Sequence, residues 1–372
     1  MRVSFADNTY GPEEEQAVLD VMRSGFLTMG KRVAEFEEAW ADYIGVKHAI
    51  MVNSGSSANL IALASLIETK RLLPGDEVVT PAVTWATTVF PIAQLGLVPV
   101  LVDVNRYTFT MDLYDAVSRS SSDTVKAIMP VHLLGYPAHI PLAGTYPRGN
   151  GVSLIEDACE AHGATYPSGQ KVGSLGDVGT FSFFFSHHIT TIEGGMLTTN
   201  NDDIDMMARR LRAFGWAREE GGAKFEFHNA GYNVRPTEIN AALGLVQLPK
   251  LDRILAQRHI NVERLNLIEG GANIQDEGHA CFAYAVSVPG GCGPMVDHLT
   301  EMGIETRPVM AANIAEQPVM KSIKHRIIGD LVNSKRITKE SFLIPCHESL
   351  TNDQLDFMVE TINEFTRKAV SA

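Results

Sequence analysis

Three short stretches carry side chains able to do chemistry. The first, Asn53-Ser54-Gly55-Ser56-Ser57-Ala58-Asn59, follows a strand-like run and opens the apolar helical run Leu60–Leu66. Small residues there let backbone N–H groups approach a phosphate, and a helix N-terminus adds favourable partial charge. The same residues suit an ordinary serine-capped helix. The second, Ile155-Glu156-Asp157-Ala158-Cys159-Glu160-Ala161-His162-Gly163, ends another apolar run. A carboxylate at the carboxyl end of a parallel strand lies where open α/β sheets bind ligands. There it keeps a nearby heteroaromatic nitrogen protonated; a helix cap by Asp157 is the plainer alternative. The third runs from Phe181 to Gly195 and holds adjacent histidines, His187 and His188, before Ile189-Thr190-Thr191-Ile192-Glu193-Gly194-Gly195. Imidazole moves protons near neutral pH, its unperturbed pKa being about 6.5. Taken alone, such a pair is better read as two surface histidines.

The elements that must position these stretches follow an α/β pattern over the first 260 residues. Pro12 followed by Glu13, Glu14 and Glu15 reads as a helix start. Val33, Phe36 and Trp40 form one stripe of a helix over Arg32–Tyr43. Strand-length apolar runs occur at Ala49–Val52, Val78–Thr80, Val98–Val102, Ala127–Val131 and Val152–Ile155, with Thr180–Phe184 and Met196–Thr199 after them. Most are separated by room for a crossover helix, so a mostly parallel sheet is expected. Thr237–Leu248 is helical, Pro249 ends or kinks it, and a second helix runs on through Ala256. Beyond that point the order becomes strand, helix, loop and terminal helix, which predicts a large domain over 1–255 and a smaller α/β domain over 256–372.

Composition narrows the function classes. The 372 residues carry 44 acidic and 31 basic side chains, a formal charge of −13, which argues against nucleic-acid binding by general phosphate attraction. The first eight residues have no apolar core of signal-peptide length, and no apolar run reaches the roughly 18 residues that cross a bilayer. A cytoplasmic protein with no membrane partner is expected. Cys159, Cys281, Cys292 and Cys346 are widely spaced and form no CxxC, so neither a disulfide framework nor an all-cysteine metal or iron–sulfur site is expected.

Together with Gly231-Tyr232-Asn233-Val234-Arg235, the three stretches resemble one family in order and spacing. It is the pyridoxal-phosphate-dependent sugar aminotransferases of the DegT/DnrJ/EryC1/StrS type. The resemblance runs from about Gly11 to the last helix, through Gly303-Ile304-Glu305-Thr306-Arg307-Pro308 and Leu343-Ile344-Pro345-Cys346-His347. It implies a fold-type-I aminotransferase-like architecture. Those enzymes have Ser-Phe, three residues, then the lysine that binds the cofactor covalently. Counting from Ser182 and Phe183, that place is held by His187, which has no primary amine and cannot form the Schiff base. The exchange is similar to that in the sugar 3-dehydratases of 3,6-dideoxyhexose biosynthesis. Their CDP-sugar branch carries an iron–sulfur cluster whose cysteine spacing is missing here. The match is to the cluster-free branch of colitose formation.

That resemblance implies non-covalent pyridoxamine 5′-phosphate or pyridoxal 5′-phosphate and a nucleotide-linked 4-keto-6-deoxyhexose, with GDP as the nucleotide. It also implies L-glutamate as amino donor. His187 is the implied proton carrier. Asp157 is assigned to the pyridine nitrogen, and Trp85 to the ring face, although core packing would also account for a tryptophan. Ser56, Ser57 and Ser182 match phosphate-binding positions, and Asn233 matches a residue delivered to the phosphate by the neighbouring subunit of a homodimer. Glu160 stands where the aminotransferases usually have glutamine near the ring hydroxyl. Lys31, Arg218, Lys224 and Arg307 lie in motif-adjacent loops as candidate partners for a diphosphate, or as ordinary surface charges. A nucleotide-sugar aminotransferase using free cofactor and a catalytically silent nucleotide-sugar-binding dimer remain alternatives.

Overall fold

Side chains alternate strictly between the two faces of the main sheet. Ile50 and Val52 face one core with Val78, Ile155 and Leu197, while Ala49 and Met51 face another with Val79, Leu154 and Met196. A sheet covered on both faces demands apolar residues at successive positions, which is why its strands read as continuous runs. The structure, a computed structural model, describes residues 1–372 apart from 8, 112, 114–122, 141–150, 218–224, 273, 275–277 and 372.

The first half contains α1 (Pro12–Ser24), α2 (Lys31–Ile44), β1 (His48–Val52), α3 (Gly55–Glu68), β2 (Glu77–Pro81), α4 (Ala86–Gln94), β3 (Val98–Val102), β4 (Val125–Ile128), β5 (Ser153–Asp157), β6 (Val178–Ser182) and β7 (Gly195–Thr199). Then come α5 (Asp202–Arg212), α6 (Glu238–Gln247), α7 (Leu251–Leu265), β8 (Tyr284–Ser287) and α8 (Gly293–Glu301). The chain closes with β9 (Arg307–Pro308), β10 (Arg326–Ile327), α9 (Val332–Glu340), β11 (Ser341–Ile344) and α10 (Asn352–Ser371). The large sheet has the order β1-β7-β6-β5-β4-β2-β3-β10, antiparallel at β1/β7 and β7/β6 and parallel elsewhere. A smaller antiparallel sheet has the order β8-β11-β9. The architecture is therefore α/β, with a large, mostly parallel mixed sheet flanked by helices and a small second sheet.

Helix α3 is apolar nearly all round because it is enclosed between the sheet and α5. On the other face Trp40 of α2 stands edge-on to Phe181 and Phe183, at ring separations of 5.1 and 4.9 Å. Buried Glu37 ties α2 to β1 and α5. It accepts from the Met51 N–H at 2.8 Å and from the guanidinium groups of Arg209 and Arg212 at 2.8 and 2.5 Å.

Three elements depart from the sequence reading. The strand expected over Thr180–Phe184 is β6, Val178–Ser182; past Ser182 the chain turns, and Phe184 and Phe185 are exposed. The run expected over Ala127–Val131 pairs as β4 over Val125–Ile128. The helix expected to stop at Ala256 continues to Leu265, since Val262 and Leu265 bury themselves in the core beneath the small sheet. The expected division at 255/256 thus falls inside α7, whose Leu251 and Ile254 belong to the core of the large sheet. Beyond it, β10 returns the chain to β3.

Candidate active site

The carboxyl ends of β2, β5 and β6 and the N-terminus of α3 converge on a cavity of about 740 Å³. At one end is the α3 N-terminus. Ser54 caps it by accepting the Ser57 N–H at 3.1 Å, and Ser56 Oγ donates to Thr87 Oγ1 at 2.8 Å. Gly55 lies so close to β6 that a Cβ there would come within 2.5 Å of Ser182 Cβ, so the turn and the strand end share one tight surface. Ser54, Gly55, Ser56 and Ser182 line the cavity. Ser57 is turned into the cap and is not among its lining residues.

Asp157 sits at the end of β5, 3% exposed. One carboxylate oxygen accepts from Asn59 Nδ2 at 2.9 Å and Thr88 Oγ1 at 2.8 Å. Asn59 in turn accepts from Thr180 Oγ1 at 2.7 Å, and Thr88 meets Thr84 at 2.8 Å. The charge is thereby held in one orientation by α3, α4 and β6 together. Trp85, the N-cap of α4, leaves 56% of its surface exposed on the cavity wall.

Glu160 lines the same cavity and accepts the Leu134 N–H at 3.0 Å. Leu134 adopts the left-handed conformation, φ 57°, which costs energy for a γ-branched side chain. Burial pushes the Glu160 carboxyl up to about 8; the Leu134 N–H opposes this and the neighbouring Asp157 charge adds to it. Glu160 is therefore a neutral acid at pH 7.

The two histidines separate cleanly. His187 lines the cavity, packed edge-on against Phe282 at 5.2 Å. His188 is fully buried, its Nε2 at 2.8 Å from the Ala280 carbonyl and its Nδ1 at 3.1 Å from His162 Nδ1. Burial, with the Arg258 charge nearby, lowers His187 to about 3, so its imidazole is neutral. Among the described residues no lysine lines the cavity.

Of the other expected residues, Arg307 lines the cavity, its guanidinium 5.4 Å from the Phe5 ring. Lys31 starts α2, exposed and 3.4 Å from Glu35, away from the cavity. Asn233 is exposed, accepts from Arg235 Nε at 3.1 Å and lies outside its own chain's cavity. Arg218 and Lys224 lie outside the described residues. Asn59, Thr88 and Phe282 were missed by sequence reasoning. The legible signal was polarity out of place: Asn59 is 2% exposed at the start of an apolar helix, and Thr84 and Thr88 sit one turn apart.

A mostly parallel sheet with a serine-bearing helix N-terminus, a buried carboxylate and an open aromatic face around one cavity is the arrangement that the resemblance to fold-type-I pyridoxal-phosphate enzymes implies. The model of the DegT/DnrJ/EryC1/StrS aminotransferase family matches residues 8–363, and the chain belongs to that family. It is 33% identical to the GDP-4-keto-6-deoxy-D-mannose 3-dehydratase of Escherichia coli O55:H7, over 96% of this chain and 98% of that protein. It is 35% identical to the GDP-perosamine synthase of Caulobacter vibrioides, over 98% of each. Among solved structures, a GDP-4-keto-6-deoxymannose-3-dehydratase with a trapped PLP–glutamate geminal diamine superposes with a TM-score of 0.91. It is 32% identical and matches 97% of this chain and 100% of its own.

The residues present fit such a cofactor. The Ser54–Ser56 turn offers a phosphate cradle that an added Cβ at Gly55 would close, buried Asp157 offers a fixed negative charge, and Trp85 offers an open ring face.

Proposed function

We propose that this chain is a pyridoxamine-phosphate-dependent nucleotide-sugar 3-dehydratase, removing the C3 hydroxyl of a 4-keto-6-deoxyhexose. GDP-4-keto-6-deoxy-D-mannose is the favoured substrate and L-glutamate the amino donor. The observation that carries this reading is the cavity position of His187, with no lysine lining the cavity among the described residues. When bound, the amine form of the cofactor supplies its nitrogen to the C4 ketone and the electron pair that displaces the C3 hydroxyl, and L-glutamate restores it from the aldehyde form.

The chain's residues do the rest. The α3 turn and Ser182 hold the phosphate; Asp157, fixed by Asn59 and Thr88, keeps the pyridine nitrogen protonated. Trp85 covers one ring face, and Glu160, as a neutral acid, donates to the ring oxygen where an amide donates in the aminotransferases. His187 is neutral and so able to take the proton from the cofactor's C4′ carbon. It then returns a proton to the departing C3 hydroxyl, which leaves as water. Arg307 is the cavity's guanidinium for a carboxylate or diphosphate. Asn233 completes the phosphate site of a partner subunit.

The 35% identity to GDP-perosamine synthase keeps an aminotransferase as the second reading. Incubation with GDP-4-keto-6-deoxymannose, pyridoxamine phosphate and glutamate separates the two by product mass. A 3-deoxy-4-keto sugar with ammonia release is expected. A 4-amino sugar retaining the C3 oxygen would replace this reading by transamination, and tight sugar binding with neither product would indicate a silent binding protein.

A further inference from the structure

Val131 and Leu133 line the cavity, and the residue between them is a histidine that does not. His132 is fully buried, with both ring nitrogens in direct hydrogen bonds. Its Nδ1 accepts the Ala138 N–H at 2.9 Å. A backbone amide can only donate, so the ring's proton is on Nε2. Nε2 directs that proton at Glu156 Oε2, 3.2 Å away, on the face of β5 opposite Asp157. Glu156 also accepts the N–H groups of Gly173, Leu175 and Gly176 at 2.8, 2.7 and 2.6 Å, and the Tyr166 hydroxyl. That carboxylate is anchored with or without His132.

The bond to Ala138 closes the base of a loop over 132–138, and the middle of that loop is strained. Leu134 at φ 57° is followed by Gly135 at φ 91°. The left-handed twist turns the Leu134 N–H onto Glu160 Oε2 at 3.0 Å. Its carbonyl accepts the N–H of Phe282 at 3.1 Å, and the Phe282 ring stands edge-on to His187. A leucine keeps such a conformation only where its surroundings over-determine it. The Phe282 segment holds the loop from outside, and His132 closes it from within.

We propose that His132 is a positioning residue for Glu160: by binding Ala138 it holds the Leu134 peptide in the twist that aims its N–H at the Glu160 carboxyl. This rests on Glu160 being the acid beside the cofactor ring in the proposed function. An N–H aimed at a carboxyl favours its ionised form, so losing that bond makes Glu160 hold its proton more tightly. The other groups facing Glu160 are Asp157 and Cys159 beside it in the chain, and His187, Glu193, Glu305 and Arg307 on the cavity. None of them changes in the variants below.

The test is ¹³C NMR of cofactor-free, full-length protein labelled at the glutamate carboxyl carbon, the Glu160 signal being assigned by its loss in Glu160→Gln. Wild type is expected to titrate near 8. His132→Phe keeps a ring but removes the acceptor for Ala138, and its Glu160 is expected to titrate about one pH unit higher or more. His132→Asn places Oδ1 where Nδ1 stood, still accepting the Ala138 N–H, but does not reach Glu156. It is expected to restore the wild-type titration. An unchanged titration in His132→Phe would overturn the assignment, and so would an equal shift in His132→Asn, which would place the effect in the Glu156 contact. Two readings of wild type decide the matter even if His132→Phe does not fold. The Leu134 amide signal must move with the Glu160 titration, and His132 Nδ1 must be bare by ¹⁵N NMR; failure of either would overturn the assignment. In enzyme loaded with pyridoxamine phosphate, the alkaline fall of kcat is expected to move upward in His132→Phe and to vanish in Glu160→Gln. A fall that survives Glu160→Gln would end the part of Glu160 in the proposed reaction, while the titrations, read without turnover, leave the positioning by His132 standing.

Discussion

His187 and Glu160 are both neutral at pH 7 because their surroundings penalise charge, the histidine driven down to about 3 and the carboxyl up to about 8. One is thereby a proton acceptor and the other a hydrogen-bond donor, the division of labour that separated pKa values produce in active sites. His187→Asn keeps a polar, hydrogen-bonding side chain but removes the basic nitrogen. It is expected to bind pyridoxamine phosphate as wild type does and to lose about 10²–10⁴-fold in kcat, measured by ammonia release. For Glu160 the folded value lies above the ordinary 4.5, so the folded protein binds that proton more tightly than the unfolded chain. Stability is therefore lost as pH rises from about 4.5 to about 8 and levels off above. Glu160→Gln carries no such penalty. In cofactor-free protein it is expected to be more stable than wild type by roughly 1–3 kcal/mol at pH 9, and no more stable at pH 4. Denaturant unfolding at both pH values checks this, and an equal gain at each would locate the effect in packing.

At the scale of elements, the α3 N-terminus brings together features the sequence displays separately. Its serines and glycine are legible as a phosphate turn or a cap, but its closeness to Ser182 is not, because that contact joins segments far apart in the chain. Gly55→Ala places a methyl 2.5 Å from Ser182 Cβ and 3.1 Å from Cys159 Sγ. It is expected to cost roughly 1–3 kcal/mol of stability by overpacking and to weaken pyridoxamine phosphate binding at least tenfold, read by titration of the cofactor absorbance. The same separation explains what the sequence did not reveal. Asn59 and Thr88 reach Asp157 across 98 and 69 positions, and only their polarity among apolar neighbours hinted at a buried partner. Strand locations followed from local apolar runs, whereas the ends of β4 and β6 depended on where pairing stops. The two-residue strands β9 and β10 have no local signature at all, since each exists only through its hydrogen bonds to a distant strand.

For the whole molecule, the parallel character of the sheet was legible from strand spacing, but its order was not. The antiparallel placement of β1 beside β7 has no counterpart in local sequence. Quaternary structure is a further step, and Asn233 is the residue that tests it. It is exposed and outside its own chain's cavity, as expected of a side chain that serves a partner's site. Two inactive proteins, His187→Asn and Asn233→Ala, distinguish the arrangements when unfolded together and refolded as a mixture. If Asn233 acts across the dimer, each hybrid pairs an intact His187 on one subunit with an intact Asn233 on the other. One of its two sites is then entirely wild type. Random pairing makes half the dimers hybrids, so about a quarter of wild-type activity is expected to return. If Asn233 acts within its own chain, every site in every dimer retains one lesion and no activity returns. Recovery near a quarter would establish a homodimer with shared active sites; none would confine the phosphate site to one chain and require another residue to close it.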